Sequence, residues 1–143
     1  MPASDAITVI DWYRNSKGKS IMRIDAQRKD FLRELANMFD ALGSGRTEHF
    51  RIVSSPHVLL SKRIRGVVLT RMPTQRVGEL SAKHADSNSV EISWQCPPHA
   101  WQRYLELLHG VIDSPVPSHQ YFGNDAEVEI ALGEWRPKLE EFV

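Results

Sequence analysis

The chain has 143 residues, 41% of them hydrophobic and 25% charged, which suits one globular domain over residues 1–143 with a core of its own. Its 18 basic and 18 acidic residues cancel, which argues against a general electrostatic grip on nucleic acid or anionic membrane. The single cysteine, Cys96, excludes an internal disulfide and any zinc site built on several cysteines.

The start, MPASDAITVI, lacks a basic stretch followed by an apolar one, and no apolar run approaches the roughly 18 residues of a membrane span. The expectation is a cytoplasmic protein with no membrane contact. DAITVIDWYR is rich in β-formers, NSKGK has turn chemistry, and SIMRI reads as the return strand of a hairpin. Asp25 is then placed to cap a helix in which Phe31, Leu32, Leu35, Met38, Phe39 and Leu42 form one apolar face and which ends at Gly43–Gly45. EHFRIVSS, HVLLSK and RGVVLTRM follow as strands. Residues 72–88 show no sustained apolar period and read as a long exposed loop, and SVEISW is the next strand. Pro97 and Pro98 fit a helix start, where a missing N–H does no harm, and Trp101, Tyr104, Leu105, Leu108, Val111 and Ile112 form the buried stripe of a second helix. After SPVPS, the stretch SHQYFGNDAEVEIALGEW reads as strand, Gly-Asn-Asp turn and strand. It sets Val128, Ile130 and Leu132 on one face and Glu127 and Glu129 on the other.

Laid on itself in one ungapped register, the chain sets Met22 and Ile24 on Ile92 and Trp94, Phe31 on Trp101, Leu35 on Leu105, Met38 on Leu108 and Leu42 on Ile112. The same register carries His49 to His119, Ile52 to Phe122, Val58 to Val128 and Leu60 to Ile130, so a β-α-β-β unit recurs in halves spanning 5–62 and 64–135. Upstream the match is poor: residues 77–83 do not look like a first hairpin strand, and RGVVLTRM would have to serve instead. The expected fold is α+β, a largely antiparallel sheet of about seven or eight strands with two helices packed on it.

Charge is unevenly spread. Arg51, Lys62, Arg63, Arg65, Arg71 and Arg76 occur without an intervening acid, whereas the end of the chain carries Asp125, Glu127, Glu129, Glu134, Glu140 and Glu141 against Arg136 and Lys138. Either the two segments are neighbouring strands that neutralise each other, or they form two patches of opposite sign. Among candidate chemistries, His49 and His119 stand at equivalent places and would meet if the halves are related by a twofold, while Cys96 and His99 have a ligand-like spacing but too few companions for a metal. A helix entrance could lower the pKa of Cys96, yet no base accompanies it. No serine stands in a nucleophile motif, and GSGR at 43–46 follows a helix, whereas a phosphate loop precedes one. The basic stretch 62–76 lacks an interleaved aromatic platform for nucleic acid, while Trp12 and Trp135 are candidates for a contact surface. No catalytic residue, metal ligand or cofactor is assigned.

The order hairpin, helix, strands, with the closing SHQYFGNDAEVEIALGEW, resembles bacterial immunity proteins of polymorphic and contact-dependent toxin systems. That resemblance implies a cytoplasmic binding protein that neutralises a cognate toxin domain by occluding its active or substrate site. Asp125, Glu127, Glu129, Glu134 and Trp135 would form an acidic contact edge that mimics the charge of the substrate. Two other classes remain open: a small enzyme or ligand-binding protein with a pocket between the halves, using His49, His119 or Glu127, and a regulatory nucleic-acid binder acting through Lys62, Arg63, Arg65 and Arg71.

Overall fold

A computed structural model describes residues 8–74 and 76–134. The elements run β1 (Thr8–Arg14), β2 (Ser20–Ala26), α1 (Asp30–Ser44), β3 (His49–Ile52), β4 (Val58–Leu60), β5 (Ile64–Arg71), β6 (Glu79–His84), β7 (Val90–Cys96), α2 (Pro98–Asp113), β8 (Ser118–Phe122) and β9 (Val128–Leu132). The fold is α+β, with two helices as expected. The strands do not form one largely antiparallel sheet, however. They form two mixed sheets, of order β4-β1-β2-β9-β8 and β3-β5-β7-β6: each helix carries the chain from one sheet to the other, β2 to β3 and β7 to β8, and parallel pairing then joins β2 with β9, β5 with β7 and β1 with β4.

The helices form where the apolar stripes placed them. Phe31, Leu32, Leu35, Phe39 and Leu42 are buried on α1, and Trp101, Tyr104, Leu108, Val111 and Ile112 on α2. Helix α1 ends because Gly45 adopts φ 84°, a left-handed conformation that costs glycine nothing, and its N–H returns to the Ala41 carbonyl. Pro97 and Pro98 open α2, as expected. Asp25 does not cap α1. The helix starts at Asp30 after Lys29, and Asp25 lies buried in β2. The two helices cross at Gly43, where an added Cβ would lie 2.8 Å from Gln102 Cγ; Gln102 Nε2 donates to the Gly43 carbonyl at 3.0 Å. One core collects the inner faces of both sheets and both helices. At its centre Phe39, Trp94, Trp101, Tyr104 and Phe122 pack ring against ring, Trp94 and Trp101 at 4.9 Å between centroids. Each such pair adds about 0.5–1.5 kcal/mol beyond area burial.

The internal correspondence is closer than the sequence indicates, and differently divided. In the hairpin β1–β2, Val9 faces Asp25 and Tyr13 faces Ile21; in β6–β7, Glu79 faces Gln95 and Lys83 faces Glu91, the same pairs carried forward by the shift that lays Met22 on Ile92. The stretch 72–88 is therefore not a long loop, since it contains β6. RGVVLTRM is not a hairpin opener either. As β5 it pairs antiparallel with β3 (Ile52↔Val67) and parallel with β7 (Val67↔Ile92), just as β9 pairs with β8 (Phe122↔Val128) and with β2 (Met22↔Val128). The step from Ile52 to Val67 is longer than that from Phe122 to Val128, so the ungapped shift fails across this connection. Val67 and Leu69, not Val58 and Leu60, are the counterparts of Val128 and Ile130. The extra residues carry β4, which lies parallel to β1 (Thr8↔Val58, Ile10↔Leu60). Each sheet thus joins the hairpin of one half to the second strand pair of the other.

Candidate interaction site

The expected acidic edge divides once its residues are placed. Strand β9 is not at a sheet edge, because it lies between β2 and β8. Its parallel register sets Glu129 beside Arg23. Arg23 Nη1 reaches Glu129 Oε1 at 2.7 Å and its Nε reaches Asp25 Oδ2 at 2.6 Å, so Glu129, only 7% exposed, is the buried partner of a cation and not an outward-facing carboxylate. Burial raises the Asp25 carboxyl above its usual value despite Arg23. Burial also opposes the Arg23 charge, but bonding to Asp25 and the field of Glu129 more than offset it and hold the guanidinium protonated.

Asp125 stands exposed in the β8–β9 turn, with Lys19 Nζ at 3.2 Å. Glu134 accepts or shares a hydrogen bond with His119 Nδ1 at 2.8 Å. Glu127 is half-buried and turned inward over Gly123, where a Cβ would collide with its carboxylate. Its charge is felt by the thiol of Cys96 and the hydroxyl of Tyr104, both pushed up to about 12, in each case chiefly by burial. Cys96 is therefore a buried thiol held protonated, not one activated by its helix entrance. Glu127 and Glu129 are not a surface acid–base pair. Trp135 lies outside the described residues.

Among the described residues the acidic end of the chain does not neutralise the basic stretch: β5 and β9 belong to different sheets, and Asp125, Glu129 and Glu134 pair with Lys19, Arg23 and His119. Arg51 makes a bidentate pair with Glu91, Arg63 pairs with Asp11, Arg65 with Asp86, and Arg71 with Glu48. His49 and His119 do not meet as a pair. They sit exposed on β3 and β8, edge strands of different sheets. Among the described residues no group of three or more His, Cys, Asp or Glu could hold a metal ion, and no helix is long and apolar enough to cross a membrane.

A groove does lie between the halves, but other residues line it. It has a volume of about 390 Å³ and is bounded by Trp12, Arg14 and Ser20 from β1–β2 and by Leu80, Ser81, Ala82, His84 and Val90 from β6–β7. Trp12 corresponds to Ala82, Arg14 to His84 and Ser20 to Val90 in the common register of the two hairpins, so the groove is formed by their matching ends. Strand alternation explains the lining apart from Ser81: the other positions continue the inner-face series Ile10, Met22 and Ile92 beyond the point where the core ends. Among the described residues, the side chains of Arg14 and His84 have no hydrogen-bond or ion-pair partner, in contrast to the arginines of the basic stretch. An indole beside an uncompensated cation suits an anionic ligand or side chain with an apolar part. From the sequence, Trp12 is recognisable only as ambiguous. His84 is hidden in the expected loop, and its relation to Arg14 requires the hairpin register. No family model, curated protein or solved structure matches the chain.

Proposed function

We propose that the chain is a binding protein of the immunity type, which neutralises a cognate toxin domain by occluding its active or substrate site, and that its contact surface is the groove between the hairpin ends. The observation that carries this reading is that Arg14 and His84, unpaired among the described residues, stand beside Trp12 in a concave surface, where most other arginines near the sheets are committed to carboxylates. Binding through this groove selects an acidic, partly apolar patch on the partner. Mimicry of substrate charge by Glu127 and Glu129 is not part of this reading, because Arg23 consumes Glu129 and Glu127 turns inward.

The test is growth rescue. The chain is co-expressed with the protein encoded by the adjacent reading frame, and binding is measured on the purified pair. Arg14→Glu is expected to abolish both rescue and binding with the fold intact, while Asp125→Lys changes binding by less than about threefold, as exposed charges do. Full rescue by Arg14→Glu contradicts the proposed surface. Loss of rescue with Asp125→Lys alone returns the contact to the acidic turn.

A further inference from the structure

The two sheets differ by one strand, and the first half shows where the absent strand would lie. Strand β4 closes the outer edge of β1: the Thr8 N–H donates to the His57 carbonyl at 3.2 Å and the Ser61 N–H donates to the Ile10 carbonyl at 3.0 Å. Even-numbered residues of β1 therefore point their backbone groups at β4, and odd-numbered ones point theirs at β2. Because β6–β7 repeats the register of β1–β2, Leu80, Ala82 and His84 point their N–H and C=O groups away from β7, and β6 is the edge of its sheet. In the second half the shorter β8–β9 connection reaches this edge at one point, where Asn124 Nδ2 donates to the Gly78 carbonyl at 2.8 Å. Beyond Gly78, among the described residues, the edge runs open along the wall of the groove that Leu80, Ala82 and His84 line.

We infer that β6 accepts an extended segment of a partner protein as a fifth strand, running parallel to β6 as β4 runs to β1. This rests on the groove being the contact surface, and it adds the mode of recognition and the chemistry of the segment. Strand addition supplies main-chain hydrogen bonds to the open edge, and alternate side chains supply specificity. Side chains on the inner face meet Leu80, Ala82 and Trp12, so the segment carries apolar residues at alternate positions, as Val58 and Leu60 do in β4. The parallel direction brings its C-terminal end to His84 and Arg14, so acidic residues follow the apolar pair. A reversed segment would present its acids to Gly78 and Glu79 instead.

The probe is a synthetic acetylated peptide, His-Val-Leu-Leu-Ser-Glu-Glu, which repeats the β4 sequence with an acidic end. It is titrated into the full ¹⁵N-labelled chain. The expected result is slowed amide exchange and shifted resonances at Leu80, Ala82 and His84. Peptides N-methylated on the amides that face β6 should bind at least about tenfold more weakly, the loss of one or two hydrogen bonds, whereas methylation on the other parity should have little effect. Ala82→Pro removes the corresponding N–H from the protein side and should weaken binding similarly. Equal binding of the reversed-sequence peptide overturns the parallel orientation. Peptide binding that depends on Arg14 but is unaffected by methylation or Ala82→Pro overturns strand addition and leaves the groove reading standing. Absence of any shift in Trp12, Arg14 or Ala82 at millimolar peptide overturns both. Concentration-dependent dimerisation of the chain, with Leu80 and Ala82 protected without peptide, assigns the edge to a second copy and overturns the partner segment.

Discussion

The hairpins β1–β2 and β6–β7 share one register, one inner face and one place in their sheets, yet among the described residues the outer edge of β1 is covered and that of β6 is open. The difference comes from a longer connection elsewhere in the chain, between β3 and β5, which has room for β4. An edge strand is an exposed row of donors and acceptors, a ready template for a further strand. The groove lies at the edge left uncovered, and variants in the two halves separate their roles.

The largest effect is expected where the halves merge. Trp94→Ala should cost about 3–5 kcal/mol and Ile24→Ala, its counterpart, about 2–5 kcal/mol. Both variants should unfold in one transition in urea, because their side chains share a core; two separate transitions would divide the molecule at the halves. Next come the outer faces. Arg23→Ala leaves Asp25 and Glu129 buried without their cation and should cost about 3 kcal/mol, whereas Arg51→Ala, which breaks the exposed pair with Glu91, should cost under about 1 kcal/mol. Denaturation midpoints read the contrast directly. Within β6, Ser81→Pro removes a ladder bond and should cost about 1–2 kcal/mol more than Ala82→Pro, whose N–H points to the open edge.

The smallest effect concerns pH. The Cys96 thiol is raised to about 12 in the folded chain, so between its unfolded value and about 12 the native state holds a proton that the unfolded chain loses. Its contribution to stability is complete below the unfolded thiol pKa and is lost as pH rises toward about 12, and Cys96→Ser should flatten the alkaline fall in midpoint. At mildly alkaline pH the native thiol should resist alkylation until the chain unfolds.

Both helices are legible because Phe31 through Leu42 and Trp101 through Ile112 repeat at helical spacing, a local signal. The hairpin β1–β2 is legible from its turn. Strand β6 is not, since Leu80 and Ala82 alternate with Ser81 and Lys83 but only one of the four is strongly apolar, and the strand is held by β7 and not by its own pattern. Matching Val58 and Leu60 to Val128 and Ile130 follows from an ungapped shift, which the insertion carrying β4 defeats. The exposure expected for Glu129 fails for a related reason: alternation sets it on the outer face, but its partner Arg23 lies near the other end of the chain and meets it only through parallel pairing. The groove is the least legible feature, because it requires the register of two hairpins together.

Residue-resolved hydrogen exchange on the unliganded chain tests the open edge most directly. Ile10, bracketed by β4, should be protected, while its counterpart Leu80, and Ala82 beyond it, should exchange on the order of a hundredfold faster or more, with Ser81 and Lys83 protected by the β7 ladder. Protection of Leu80 and Ala82 equal to that of Ile10 would mean that the edge is already closed, and strand addition at β6 would fail with it.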